Sequence, residues 1–515
     1  MKIKLALFII ITLFLATRLY KITEIPASVY WDEASIGYNA YSVLQTGKDE
    51  WGEVFPAHFR AFGEYKLPIY IYVTAIFESF LGLNILAVRL PAVMFTLGSV
   101  IALYLLSLRL TRSPGISLLS AFIFSISPWN FLFSRTGYEA TAGLMFYLLG
   151  IYLYLIEKNR KFALFMSVIS FIFSLYSYNS FRIITPLTLF ILFIYEMDIK
   201  TISSNLVKKV IEKFPYILLF LIGLIPIVRL YMYGDGLNRL NTVGIFNEGL
   251  NIKTLPTFIF NYLQHFNPIF LFIEGDANLR SQIPGFGQLL FIDLPFVILG
   301  LFFIFKFRQK ATLLVLSLIL ISPLAASITK ESPHALRAIS MSPFLAITSS
   351  LGINYLLNRI DKHKKLFMGV IVSLYVIFFS IFYLTFIYRY NIYASMDWQY
   401  PYKVLFENYG KNISQAKHAY ISDTFAQPYI FYLFYNNYTP AEFLKENERN
   451  TPDKWGFSSV RRIGKVEFVD FNIKKEFLDS SFLVVPSNIQ NIEGEKMGEI
   501  KLLNGEKVLD VYSYE

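Results

Sequence analysis

The 515-residue chain contains no cysteine, which excludes disulfides, thiolate nucleophiles and Cys-ligated metals while leaving the compartment open. Charge is also scarce: 16% of the residues are Asp, Glu, Lys or Arg, too few for a soluble protein of this size. Apolar residues fill the gap, with 55% hydrophobic and 18% aromatic side chains, so the chain reads as a polytopic membrane protein. The formal charge of +10 raises the question of nucleic acid. The bases, however, fall in short clusters between apolar runs rather than along one face, which is the distribution of cytoplasmic membrane loops. No nucleic-acid partner is expected.

Lys2 and Lys4 precede an apolar run from Leu5 to Leu19, yet no small-x-small cleavage site follows and Arg18 and Lys21 come instead. This segment is read as a retained signal-anchor helix. Each further crossing takes roughly 20 apolar residues, and candidates lie near 87–108, 115–133, 140–156, 162–179, 183–197, 215–232, 288–305, 311–327, 338–357 and 366–388. Every second connection is basic: Arg109 with Arg112, Lys158 with Arg160 and Lys161, Lys208 with Lys209 and Lys213, Lys306 with Arg308 and Lys310, Lys362 with Lys364 and Lys365. These loops are assigned to the cytoplasm. If Leu67 to Leu83 also crossed, every basic cluster downstream would point outward, so it is placed flat on the outer leaflet as an amphipathic interfacial helix.

The expected fold is an all-α polytopic membrane domain over 1–388, with about eleven transmembrane helices plus outer-face interfacial helices and a cytoplasmic N-terminus. A small extracytoplasmic α/β domain over 389–515 follows. The outer face then receives 20–86, 134–139, 233–287, 328–337 and the tail. From Arg389 onward the tail has 15 Lys and Arg against 17 Asp and Glu, so the positive excess belongs to the membrane part. Ala419 to Ser422 and Ser481 to Val485 read as buried strands, Gln427 to Tyr435 as a helix, and Asn504-Gly505 as a hairpin turn between Ile500 and Val511. The tail carries no recognisable catalytic motif and is read as structural or acceptor-facing.

This topology puts Asp32, Glu33, Lys66, Arg135, Glu139, His265, Asp276, Arg280, His334 and Arg337 outside or at the outer membrane edge, where ionisable residues mark a candidate site. A transporter or lipid flippase, the rival of a different class, would place its charges near mid-bilayer on broken, repeated helices. Each residue also has a plainer duty. Asp32 suits the N-cap of a helix beginning near Ala34, and Glu33 suits the solvated first turn. Glu139 can pair with Arg135 at i, i+4, and Lys66 can snorkel. His334 and Arg337, one helical turn apart, can face one anion or anchor a helix end.

Trp31-Asp32-Glu33 after the first helix, Lys66-Leu67-Pro68 before the interfacial helix, and Arg135-Thr136-Gly137-Tyr138-Glu139 after the third span resemble the GT-C glycosyltransferases of the protein O-mannosyltransferase and lipid A aminoarabinose transferase superfamily. Gly47-Lys48-Asp49, Asn84-x4-Arg89, Gly275-Asp276-x3-Arg280 and Ser332-Pro333-His334-Ala335-x-Arg337 extend the likeness, the last two toward the Rgt lipopolysaccharide-core transferases. The resemblance implies transfer of a sugar from a polyprenyl-phosphate carrier to a lipid, glycan or protein acceptor, with inversion, on the outer face of a prokaryotic plasma membrane. A same-side rival is a polymerase or ligase that moves a lipid-linked glycan.

By the same resemblance Asp32 is the leading base, Glu139 a second acidic residue where aspartate is common, and Lys66 the phosphate-contacting lysine. Glu33 is a further catalytic candidate. Arg337, His334 and Arg280 are candidates for the donor phosphate, and His265, Asp276, Tyr65 and Tyr138 for substrate. Tyr38 is a third outer tyrosine able to stack on sugar. No cofactor is expected, although the ligand types of Asp32, Glu139 and His265 suit a divalent cation.

Overall fold

Runs of Leu, Ile, Val and Phe without a polar face keep their amides from lipid only by bonding them internally, and here they fold as helices. The computed structural model describes residues 2–156, 161–197, 202–233, 236, 242–246, 254–360, 362–451, 458–474, 476–490 and 492–514. Lys158, Arg160 and part of the 233–287 loop lie outside them. The chain divides into two compact units, Met1–Tyr20 with Ala92–Thr385, and Lys21–Pro91 with Phe386–Glu515. The first outer loop therefore groups with the tail.

Among the described residues four helices are long and apolar enough to cross a membrane: Ile85–Thr111, Val210–Met232, Lys310–Ser327 and Lys364–Ala394. Pro114–Ile126, Ala140–Ile156 and Lys161–Leu175 are apolar but shorter. The span expected over 115–133 is interrupted, one helix stopping at Ile126 and another running Pro128–Phe133. Pro128 has no N–H to give and its ring disfavours helical backbone at the residue before it, and Ser127 is extended at ψ 131°. Helices Asp293–Phe307 and Ser342–Leu357 pack at glycines: a Cβ on Gly300 would lie 2.0 Å from the Thr348 carbonyl oxygen, and one on Gly352 2.0 Å from that of Phe296. Small residues let backbones approach this closely where lipid supplies no hydrophobic drive.

In the second unit, helix Pro68–Leu81 has 14 residues, about 21 Å at 1.5 Å each, short of the ~30 Å hydrocarbon core. It buries Tyr70, Ile71, Thr74 and Glu78 and exposes Ile76, Phe80 and Leu81. Just before it, Phe59–Ala61 (β1) and Glu64–Lys66 (β2) pair antiparallel. The two turn residues, Phe62 and Gly63, have φ of 50° and 77°, the positive values a two-residue hairpin of this twist requires.

The tail contributes His418–Ser422 (β3), Asn447–Arg449 (β4), Val460–Ile463 (β5), Val466–Val469 (β6), Ser481–Pro486 (β7), Glu495–Lys501 (β8) and Lys507–Tyr514 (β9). They form one sheet in the order β4-β5-β6-β3-β7-β9-β8. Strand β3 lies in the middle, parallel to β6 and β7, and the other pairs are antiparallel. Strand β7 is buried along its whole length and β3 along nearly all of it, which is why both read as apolar runs rather than alternating ones. Helix Pro428–Tyr435 follows β3, and Asn504-Gly505 turns β8 into β9.

Candidate active site

In the second unit, helix Trp31–Thr46 carries Asp32 and Glu33 in its first turn, where the helix dipole favours negative charge. Asp32 is thus inside the helix and not its cap: the N-cap residue is Tyr30, which makes no side-chain capping bond. The helix closes at Gly47 in the left-handed region, its N–H donating to Val43 at 2.9 Å. The Gly47-Lys48-Asp49 motif continues as turn chemistry, with Asp49 Oδ1 accepting the Trp51 and Glu53 amides at 2.9 Å each.

The β1–β2 hairpin delivers Lys66 to Asp32, and its Nζ donates to Asp32 Oδ1. The lysine side chain is 3% exposed and the aspartate 24%, so the ammonium is enclosed while part of the carboxylate faces out. Glu64 Oε1 lies 3.8 Å from the same Nζ, and the ring of Phe62 5.9 Å from it. Phe62 holds its strained turn by packing on Trp31 and Tyr429. The candidate base and the candidate phosphate contact are thus an ion pair.

Glu33 does not solvate the first turn. It is fully buried, and Arg89 grips it with Nε to Oε1 at 3.1 Å and Nη2 to Oε2 at 3.2 Å. Arg89 also donates to the carbonyls of Ile22 (2.8 Å), Pro26 (3.1 Å) and Ser28 (2.5 Å), so all five guanidinium protons are used. This arginine moulds residues 22–28 around the start of the helix. Asn84, five residues before it, caps its helix by accepting the Ala87 amide at 3.0 Å. Tyr38 is fully buried, edge-on to Phe443, so it belongs to the core and presents no face to a sugar. Tyr65 is half-buried beside Arg60 in the hairpin register.

In the first unit, residues 134–139 form turns rather than helix, so Arg135 and Glu139 lack the i, i+4 relation of a helix. Arg135 is buried and donates to the carbonyls of Thr17 (2.7 Å), Arg18 (2.6 Å) and Tyr20 (2.8 Å), closing the C-terminal end of helix Lys2–Leu19, where a cation is favoured. Glu139 is half-buried immediately before helix Ala140–Ile156. Tyr138 packs edge-on to Phe133 and reaches the Arg280 carbonyl at 3.5 Å; Arg280 is half-buried.

His265 is enclosed, with Nδ1 2.9 Å from the Asn261 carbonyl and Nε2 accepting the His334 amide at 3.1 Å. Both ring nitrogens are engaged within the protein, so the ring acts as a latch between two loops and not as a substrate or metal contact. Asp276 is 5% exposed and accepts from the amides of Asn278 (2.9 Å) and Ala335 (2.7 Å). Burial pushes its carboxyl up, and those two hydrogen bonds oppose the rise. Trp129 completes the clamp by donating Nε1–H to the Ala335 carbonyl at 2.9 Å.

Residues 335–338 turn without forming α-helix, closed by the Ala338 amide on the His334 carbonyl at 3.1 Å. His334 and Arg337 nevertheless share a neighbour: Glu331 Oε2 lies 4.0 Å from His334 Nε2 and 3.8 Å from Arg337 Nη2. Glu331 is 76% exposed, an acidic group resting where two basic ones converge. Arg337 Nη1 donates to Thr329 Oγ1 at 2.9 Å. Among the described residues no group of three His, Asp or Glu side chains is arranged to hold a metal ion.

Burial pushes the His265 imidazole down to about 4 from its ordinary ~6.5. As pH falls through that window the unfolded chain takes up a proton that the folded one refuses, so stability is lost, by up to about 3 kcal/mol. Asp276, shifted up, acts in the opposite sense. Thermal unfolding in detergent at pH 7 and pH 5 should therefore show a smaller acid-induced drop for His265→Gln than for wild type. Equal drops would mean that His265 is not the group carrying this dependence.

No protein-family model matches the chain, and no curated protein matches it in sequence. Among solved structures, ArnT from Cupriavidus metallidurans bound to undecaprenyl phosphate is 12% identical, over 98% of this chain and 97% of that one, with a TM-score of 0.55. The same protein in the apo state is 11% identical over 97% of each, with a TM-score of 0.54. The oligosaccharyltransferase AglB from Archaeoglobus fulgidus, in complex with an inhibitory peptide and a dolichol-phosphate, is 13% identical over 84% of this chain and 63% of that one. Its TM-score is 0.48.

Proposed function

We propose, since the chain has the ArnT-like fold of the GT-C superfamily along its whole length, that it is an inverting membrane glycosyltransferase using a polyprenyl-phosphate-linked sugar. The donor passes its sugar to a lipid, glycan or protein of the cell envelope. In this reading the chain crosses the plasma membrane eleven times, with the N-terminus cytoplasmic and the 389–515 α/β domain outside. The observation that carries the chemistry is the partly exposed Asp32 carboxylate bonded to the enclosed Lys66 ammonium.

Asp32 takes the proton of the acceptor hydroxyl as its oxygen bonds to the anomeric carbon. The bond from that carbon to the phosphate oxygen breaks, its electron pair leaving with the lipid phosphate. The ion pair couples these events: once protonated, Asp32 no longer neutralises Lys66, whose charge becomes available to the departing phosphate. Within the first unit His334 and Arg337, with Arg280, offer cations to a lipid phosphate, and Glu139 is a second acidic candidate. Tyr65 and Tyr138 contact substrate. Glu33 supports the chemistry by fixing the loop before Asp32.

Glu331 then competes with the phosphate for His334 and Arg337. An exposed contact of this kind is worth at most about 1 kcal/mol, so Glu331→Gln should bind undecaprenyl phosphate up to about 5-fold more tightly. Arg337→Met should bind it at least about 10-fold more weakly, and Arg337→Lys should fall between, keeping charge but losing the planar fork. Binding isotherms in detergent with undecaprenyl phosphate test this. Unchanged affinity in Arg337→Met would return Arg337 to the role of a membrane-edge anchor.

A further inference from the structure

We propose that Gln399, in the tail, is a positioning residue for Asp32: its side-chain amide caps the helix on which Asp32 stands. This rests on the reading of Asp32 as the base. A helix begins with four amides that lack intrahelical partners, and a side chain at the N-cap ordinarily takes one of them. Tyr30 makes no such bond. The amide of Trp31, the residue before Asp32, donates instead to Gln399 Oε1 at 2.9 Å, across 368 residues of sequence.

Gln399 is held firmly enough to serve. It is 5% exposed, and its Nε2 donates to the carbonyls of Phe425 (2.7 Å) and Ala426 (3.3 Å), so both amide protons are used. Its backbone lies in the left-handed region at φ 47°, and Ala426 and Gln427 do the same at 59° and 53°. Three non-glycine residues in this region, in two segments joined by one side chain, persist only where the surroundings over-determine them, and such strain gathers at functional sites. Trp398, fully buried, anchors the strained residue by donating to the Tyr390 hydroxyl at 2.7 Å and meeting Tyr30 edge-on. The tail grips the same corner twice more, through Lys403 Nζ on the Ala27 carbonyl at 3.2 Å and the Tyr435 hydroxyl 2.8 Å from Ser28 Oγ.

Lys66 arrives on the hairpin and Asp32 on the helix, so the start of the helix sets where the carboxylate stands. A displacement of about 1 Å at a reacting group costs about 100-fold in rate. Loss of the cap should therefore lower turnover and leave donor recognition alone.

The test uses the full-length protein in detergent: wild type, Gln399→Ala, Gln399→Met and Asp32→Asn. Transfer is assayed with a panel of undecaprenyl-phosphate-linked hexoses and pentoses, and amide hydrogen exchange is followed over residues 29–36. Gln399→Ala should exchange faster in that segment and lose 10- to 100-fold in kcat, with donor KM within about 3-fold. Gln399→Met keeps the length of the side chain but offers no oxygen to the Trp31 amide and should lose as much by both measures, while melting temperatures guard against a variant that merely unfolds. Unchanged exchange and kcat in Gln399→Ala, a loss confined to KM, or wild-type exchange and kcat in Gln399→Met would overturn the capping role. Asp32→Asn separates the two ideas: if it keeps wild-type turnover the base assignment falls, and if it is inactive while Gln399→Ala is normal, only the cap falls.

Discussion

Asp32→Asn should leave the protein folded and able to bind undecaprenyl phosphate while lowering sugar transfer by about 10²- to 10⁴-fold, the usual share of a general base. Asparagine matches the size of aspartate but cannot take the acceptor's proton, so the loss falls on kcat and not on donor affinity. Lys66 keeps an oxygen to donate to, so its position survives while the coupling between proton uptake and release of its charge does not. Activity within a few-fold of wild type would remove Asp32 from the mechanism. Glu33→Gln offers the contrast: its carboxylate is buried in the fork of Arg89, so stability should fall first and turnover only as a consequence.

Arg89→Met should be the single change that most destabilises the first outer loop. It removes five hydrogen bonds and leaves the Glu33 carboxylate buried without its cation, a situation that costs about 3–5 kcal/mol. Arg89→Lys should recover little, because an ammonium has three donors and no planar fork to span both oxygens and the carbonyls of Ile22, Pro26 and Ser28. The double variant Glu33→Met with Arg89→Met should be more stable than Arg89→Met alone, since it no longer buries a lone charge. Melting temperatures at matched detergent concentration decide this. A single Arg89→Met variant as stable as wild type would mean that the loop is held by other contacts.

The sequence exposes features that depend on residue type and local order. The buried strands of the tail appear as apolar runs because β3 and β7 have neighbours on both edges and cover on both faces. Asn504-Gly505 reads as a hairpin turn because the turn needs those residues. Asp32 and Lys66 stand out as charges at a membrane edge, and the hairpin brings them together. The break at Pro128 was visible in the residues but is averaged away in a hydropathy run.

What stays hidden depends on partners far apart in sequence. Nothing near Glu33 announces that Arg89, 56 positions on, will bury it. His265 has the type of a ligand, and only the His334 amide at its second nitrogen shows that it has no free one. Gln399 is a neutral residue in a segment without a motif, and its bond to Trp31 follows from tertiary packing alone. The grouping of residues 21–91 with the tail is illegible for the same reason.

One measurement bears most directly on the proposed function. Purified protein in detergent, with no ion gradient, is incubated with undecaprenyl-phosphate-linked sugars and a cell-envelope extract, and the products are followed by mass spectrometry. A glycosyltransferase of this kind yields free undecaprenyl phosphate and an envelope molecule heavier by one sugar, joined with the opposite anomeric configuration, in amounts that grow with time and vanish in Asp32→Asn. No sugar transfer across the panel, with lipid movement between leaflets in reconstituted vesicles instead, would contradict the account and favour a flippase.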